Sequence, residues 1–171
     1  MGSSRSNRPL NGVIMPVRLT PPRGEQQPHE TLNVSQQDGT VQIDHEVTGT
    51  NSWERISVTR DAWATSVTLD QGDRQIDVRQ LPNGLTRGDV VRPGRNGVDV
   101  NDIVDERGSI TSWVDESGMV KKVPTPTAQA NEDRALLSGA LRAGKDELAK
   151  DTKSLANGGQ IQTRVRPPKP F

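Results

Sequence analysis

Between residues 38 and 118 turn-forming residues return at a steady interval: Asp38-Gly39, Gly49-Thr50-Asn51, Gln71-Gly72-Asp73, Asn83-Gly84, Asn96-Gly97, then Gly108 and Gly118. Glycine and asparagine recur in tight hairpins because these turns need positive φ, which a residue with a Cβ reaches only at a cost. Turns spaced about ten to twelve residues apart leave room for short strands and none for long helices. The side chains agree. Val41, Ile43, His45 and Val47 alternate with polar residues, as do Trp63, Thr65, Val67 and Leu69, then Ile76 and Val78, then Val98 and Val100. A period of two places these side chains on one face of a pleated strand. Residues 31–124 are therefore expected to form a mainly β module, an antiparallel β sandwich or barrel of about eight short strands. Val104-Asp105-Glu106-Arg107-Gly108 is echoed by Val114-Asp115-Glu116-Ser117-Gly118. Two similar turns in succession read as an up-and-down meander.

The material for a core is limited. Leu, Ile, Val and Phe make up 36 of 171 residues, yet 22 basic residues balance 22 acidic ones. Low apolar content leads to disorder mainly when charge is uncompensated, so a folded centre smaller than the whole chain is expected. Trp53, Trp63 and Trp113 are the only aromatic residues of the β module. They are expected on strands and inside, because a poor core needs its few large side chains. The alternative is a stacking platform for sugar rings or bases.

The flanks differ in kind. Residues 1–30 hold Pro9, Pro16, Pro21, Pro22 and Pro28, which remove backbone donors and favour extended chain. They read as an arm whose apolar stretch Val13, Ile14, Val17 and Leu19 seeks a surface to cover it. After Pro124 and Pro126, residues 125–159 read as a linker and helix. Leu137, Leu141, Leu148 and Leu155 lie on one face, Asn131 is placed to cap the start, and Asn157-Gly158-Gly159 would end it. The expected amphipathic helix spans 131–156, weakened by Gly139 and Gly144 at roughly 1 kcal/mol each. Residues 160–171 form a second extended, proline-rich tail with Phe171 as its anchor.

Charge is segregated along the chain. Arg5, Arg8, Arg18 and Arg23 have no acid among residues 1–23, and Arg164, Arg166 and Lys169 have none in 160–171. Residues 24–124 carry a net charge of −7. Both ends are positive and the middle is negative, so an arm is suited to lie on acidic surface, including that of another copy.

Chemistry-bearing patterns are few, and no catalytic residue, metal or cofactor is expected. Cysteine is absent, which removes disulfides and thiolate metal sites. Of the two histidines, His45 lies in Asp44-His45-Glu46, but neighbours on a strand point to opposite faces. Asp99, Asn101, Asp102, Asp105 and Glu106 are rich in oxygen and open the question of calcium. They lack the glycine and distal glutamate of a helix-loop-helix site and read as a solvated turn. Arg87-Gly88-Asp89 spells an integrin-recognised tripeptide and is likewise read as a turn. Phosphate-cradling and dinucleotide motifs are lacking, which argues against a small-molecule substrate. An acidic centre and arms without stacking aromatics argue against nucleic acid. The N-terminus shows no signal-peptide apolar run and no stretch is apolar enough for a membrane span, so synthesis in a cytoplasm is expected.

This layout, with a Pro/Arg arm to Pro28, a turn-punctuated β region and the Arg164 to Phe171 tail, resembles accessory virion proteins of tailed bacteriophages, especially capsid cement or decoration proteins that clamp capsomers. The resemblance implies a non-enzymatic structural protein of the virion, made in the host cytoplasm. It would bind viral structural proteins such as the major capsid protein, and copies of itself. Arms next to a compact module suit cross-linking, since a docked module raises the effective concentration of its arm. The expected partner-binding residues are Arg5, Arg8, Val13, Ile14, Val17, Arg18, Leu19, Arg23, Arg164, Arg166, Lys169 and Phe171. A phage tail adaptor or fibre-base subunit, or a carbohydrate-binding module using the tryptophans, would share parts of the pattern.

Overall fold

A computed structural model describes residues 29–94, 97–152 and 162–166, the last as backbone only. The strands are β1 (His29–Gln37), β2 (Thr40–Thr48), β3 (Trp53–Arg60), β4 (Thr65–Asp70), β5 (Gln75–Gln80), β6 (Thr86–Pro93), β7 (Asp99–Asp105), β8 (Gly108–Val114) and β9 (Val120–Pro124), followed by helix α1 (Thr127–Asp151) and strand β10 (Gln162–Arg166). All ten strands belong to one antiparallel sheet in the order β10-β1-β2-β3-β4-β5-β6-β7-β8-β9. From β1 to β9 each strand pairs with its successor in the chain, the meander that the repeated turns imply. At the β1–β2 hairpin, Asp38 and Gly39 both take positive φ, 53° and 78°, as a tight Asp-Gly turn requires.

The chain is thus mainly β with a C-terminal helix. The strands form a single open sheet where a sandwich or barrel was expected, because α1 supplies the apolar layer that a second sheet would have provided. Pairing register identifies which side chains share the helix-facing side. Val34, Ile43, Val58, Val67, Val78, Gly88 and Val104 lie in one continuous row across β1 to β7. A second row on the same face contains Leu32, His45, Ile56, Leu69, Ile76, Val90, Asp102 and Thr111. The apolar members of these rows, with Leu137, Ala140, Leu141 and Leu148 from α1, make the core.

The helix begins earlier than expected, with Ala130 N–H donating to Pro126 C=O at 2.8 Å, and among the described residues it closes at Thr152. Pro126, at φ −54° and ψ 145°, is the capping residue just before the helix, and Asn131 falls inside it. Leu137, Leu141 and Leu148 form the buried stripe as anticipated, while Leu155 lies outside the described residues. Gly144 sits on that stripe. A Cβ there would overlap the side chain of Val67, and a Cβ at Gly88 would overlap the Asp77 carbonyl and approach Leu137 Cδ2 to 2.8 Å. These glycines are contact points where helix and sheet approach closely. Gly139, with nothing near its missing Cβ, is on the outer side.

Candidate functional site

The helix-facing side of the sheet is apolar in the middle and polar at both ends of α1. Near the C-terminal end, β2 places His45 between acids from two other elements. His45 Nε2 lies 2.6 Å from Glu30 Oε1 on β1, and Nδ1 lies 2.9 Å from Glu147 Oε1 on α1. The hydrogen bond to Glu147 is the main reason the imidazole pKa is raised, against the opposing effect of burial, with Glu30 adding to the rise. Burial pushes the Glu147 carboxyl up, but hydrogen bonds from His45 and Asp151 outweigh it and bring its pKa down to about 2. Asp151, itself buried and beside Glu147, is raised to about 6. The arrangement is an ion-paired clasp joining β1, β2 and the last turns of α1. The Asp44-His45-Glu46 triplet does not act as a unit: Asp44 and Glu46 point to the other face, where they bind Arg55 and Trp53.

Near the N-terminal end of α1 is a carboxyl pair. Asp102 on β7 accepts from Arg92 Nε at 3.1 Å and from Thr111 Oγ1 at 2.7 Å. Asp133 on α1 accepts from Gln129 Nε2 at 2.9 Å. Burial, then the hydrogen bond to Asp102, raises the Asp133 pKa to about 7, so Asp133 holds its proton far above the usual carboxylate range. Both side chains are fully buried between helix and sheet, which makes this pair a packing device remote from solvent.

The opposite face of the sheet is polar, yet its centre is buried. Register aligns Asp70, Gln75, Val91, Asn101 and Ser112 in one row across β4 to β8, with Asp77 and Asp89 beside it. Each is at most 4% exposed. Asp77 accepts from Thr68 Oγ1 at 2.6 Å and from Gln75 Nε2 at 3.0 Å. Gln75 Oε1, both polar atoms of the Asn101 amide and Ser112 Oγ are buried without a hydrogen-bond partner. This strip was missed from sequence. Four successive buried residues, Gln75 to Val78, show no period, because both faces of β5 are covered.

Several other expectations are corrected by position. Asn101 and Asp102 are fully buried on opposite faces of β7, so the Asp99 to Glu106 stretch is a strand followed by a turn and not one solvated loop. Arg87-Gly88-Asp89 is part of β6. Asp89 is buried and Arg87 is engaged by both carboxylate oxygens of Glu106, a geometry closed to a receptor. Trp53 and Trp113 are half-buried and Trp63 is 74% exposed in the β3–β4 turn, so none joins the core. Branched aliphatic residues meeting α1 fill it instead. Trp53 and Trp113 point to opposite faces and the three rings share no common platform. Among the described residues no group of three or more His, Cys, Asp or Glu side chains is placed to hold a metal ion, and no helix is long and apolar enough to cross a membrane.

Of the expected partner-binding residues, Arg5, Arg8, Val13, Ile14, Val17, Arg18, Leu19, Arg23, Lys169 and Phe171 lie outside the described residues. The backbones of Arg164 and Arg166 are in β10, opposite Leu32 and Glu30 of β1. The tail is therefore partly a strand of the sheet. The Glu30–Arg166 pairing puts the start of β1 and the end of β10 side by side, so the two basic ends of the chain leave from one corner. At the other edge, β9 carries Lys121 and Lys122, and Ile110, Met119 and Val123 around it are 47%, 60% and 43% exposed. No protein-family profile, curated protein or solved structure matches the chain.

Proposed function

We propose that the protein is a non-enzymatic cross-linking subunit of a larger protein assembly, of the kind that cement or decoration proteins provide on phage capsids. The observation that carries this reading is that two unlike surfaces lie at opposite edges of one sheet. One is the corner from which both positive chain ends depart. The other is the β9 edge, which pairs with no further strand among the described residues and carries exposed apolar residues. Along the sheet they are separated by nine strand spacings of ~4.8 Å, or about 43 Å. A subunit that holds one neighbour at the corner and another at the edge is a spacer with two different ends, and such contacts propagate from copy to copy or bridge two subunits of a host lattice. Lys121 and Lys122 discourage indiscriminate strand pairing at the free edge and favour an acidic partner.

Sedimentation of the full chain, alone over a range of concentrations and mixed with the structural proteins encoded beside it, tests the reading. The expected result is a defined complex that weakens only partly at high salt, since apolar contacts share the load with charge. A chain that remains monomeric throughout and binds none of those proteins would refute it.

A further inference from the structure

Two backbone hydrogen bonds fix the phase of the β9 edge. Thr125 N–H donates to Ser109 C=O at 3.0 Å, and Asp115 N–H donates to Met119 C=O at 2.9 Å. Hydrogen-bonded and non-hydrogen-bonded positions alternate along an antiparallel pair, so Met119, Lys121, Val123 and Thr125 turn their backbone groups towards β8. Val120 and Lys122 therefore turn both N–H and C=O outward, and Pro124 turns out its C=O. Proline, which has no N–H to leave unpaired, suits such an edge. Among the described residues no strand takes up these groups, and Lys121, Lys122 and Val123 are exposed. Val123 lies opposite Thr111 and Lys122 opposite Ser112, so Lys121 and Val123 stand on the helix side and Lys122 on the other. A strand laid along β9 meets a lysine on each face at adjacent positions, with a valine before and after.

We infer that the β9 edge takes up an extended acidic segment of another protein as an added antiparallel strand. Opposite Val120-Lys121-Lys122-Val123 the segment reads apolar, acid, acid, apolar. The inference rests on the assembly reading and names the partner of its β9 surface. Main-chain pairing gives the grip and the side chains give the choice of partner. Lys121 is 3.7 Å from Asp115, an exposed contact that an incoming acid can replace. Exposed Ile110 and Met119 beside the edge supply apolar contact for the flanks of the segment. A second copy fits poorly. In an antiparallel β9–β9 pair, registers centred on Lys121 or Lys122 set a lysine directly opposite itself, which is destabilising. A register centred on Val123 sets Lys122 opposite Pro124, which has no N–H to give. The far edge of the sheet, β10, carries Arg164 and Arg166 and no acid, so it repels β9 as well.

The test titrates the full chain into a fluorescent peptide reading valine-glutamate-glutamate-valine between threonines and follows its anisotropy. Saturable binding is expected. Replacing both glutamates by lysine should weaken it by roughly tenfold or more, and Lys121→Glu with Lys122→Glu should restore the lysine peptide and lose the glutamate one. Val120→Pro removes an outward N–H and leaves the bonds to β8 intact, so it should weaken binding with no change of charge. Methylating alternate backbone nitrogens of the peptide, in the phase that faces β9, should do the same without altering the protein. No saturable binding would overturn the inference. Equal binding of the methylated peptide would reduce the contact to side chains, and equal binding of the lysine peptide would remove the charge selection; either overturns it. Self-association of the wild type that Val120→Pro abolishes would assign the edge to a second copy and overturn it too. The titration needs no neighbouring protein, so its failure leaves the cross-linking reading to the separate sedimentation test.

Discussion

A methyl group added at Gly88 or Gly144 has no space to occupy, because one meets the Asp77 carbonyl and the other the Val67 side chain. Gly88→Ala and Gly144→Ala should each destabilise the protein by about 1–3 kcal/mol through overpacking, although alanine is the better helix former at position 144. Gly139→Ala meets nothing and should stabilise by up to about 1 kcal/mol. Urea unfolding of the three variants separates the two classes of glycine. Asp133 is a second residue whose identity has a measurable consequence. Its folded pKa is raised from 3.8 to about 7, so ionising it costs stability progressively as pH rises through that window. Asp133→Asn, which still accepts from Gln129, should remove this loss. Thermal melts across the window should show the wild type declining more than the variant, and parallel curves would contradict the raised pKa of Asp133.

At the scale of elements, the clasp of Glu30, His45 and Glu147 fixes the last turns of α1 to β1 and β2. The raised His45 pKa gives a contribution that is full below 6.5 and lost as pH rises through the folded value. The lowered Glu147 pKa gives one that is full above 4.5 and lost as pH falls towards about 2. The clasp is therefore strongest between about 4.5 and 6.5. His45→Ala should lose most stability relative to wild type in that interval and progressively less outside it, as melting temperatures measured across pH would show. His45 was visible in the sequence as a member of an alternating strand, but Glu147 lies 102 residues away and no local pattern joins them. The meander, by contrast, was legible from turns alone, since each hairpin is closed by its own residues. The helix stripe was legible from Leu137, Leu141 and Leu148. What hid the single-sheet arrangement was that a strand facing a helix and one facing another sheet carry the same alternation. Asp133 lies four residues before Leu137 on the buried stripe, so a charge at a core position was the available sign of the carboxyl pair.

At the scale of the whole molecule, three exposed apolar residues, Ile110, Met119 and Val123, are set around one edge and can be altered without touching the core. Ile110→Glu with Val123→Glu should change stability by less than about 0.5 kcal/mol, as surface substitutions do, while weakening the association that the proposed function assigns to the β9 edge. Sedimentation beside urea unfolding would check both halves of that expectation. Of the two surfaces on which the proposed function rests, the sequence revealed the basic ends, because charge counts need no fold. It did not reveal that those ends share a corner, which depends on β10 pairing with β1.

That last pairing also sets an order of events during synthesis. Every strand from β2 to β9 finds a partner in the strand made just before it, so the hairpins can close one after another as the chain emerges. The outer edge of β1 is different, because its partner is near the end of the chain, and it stays bare until Gln162 to Arg166 have left the ribosome. A nascent or truncated chain thus presents a ready template for strand addition that the finished protein conceals. Premature termination between the end of α1 and residue 162 should leave a product that is largely structured and prone to aggregate.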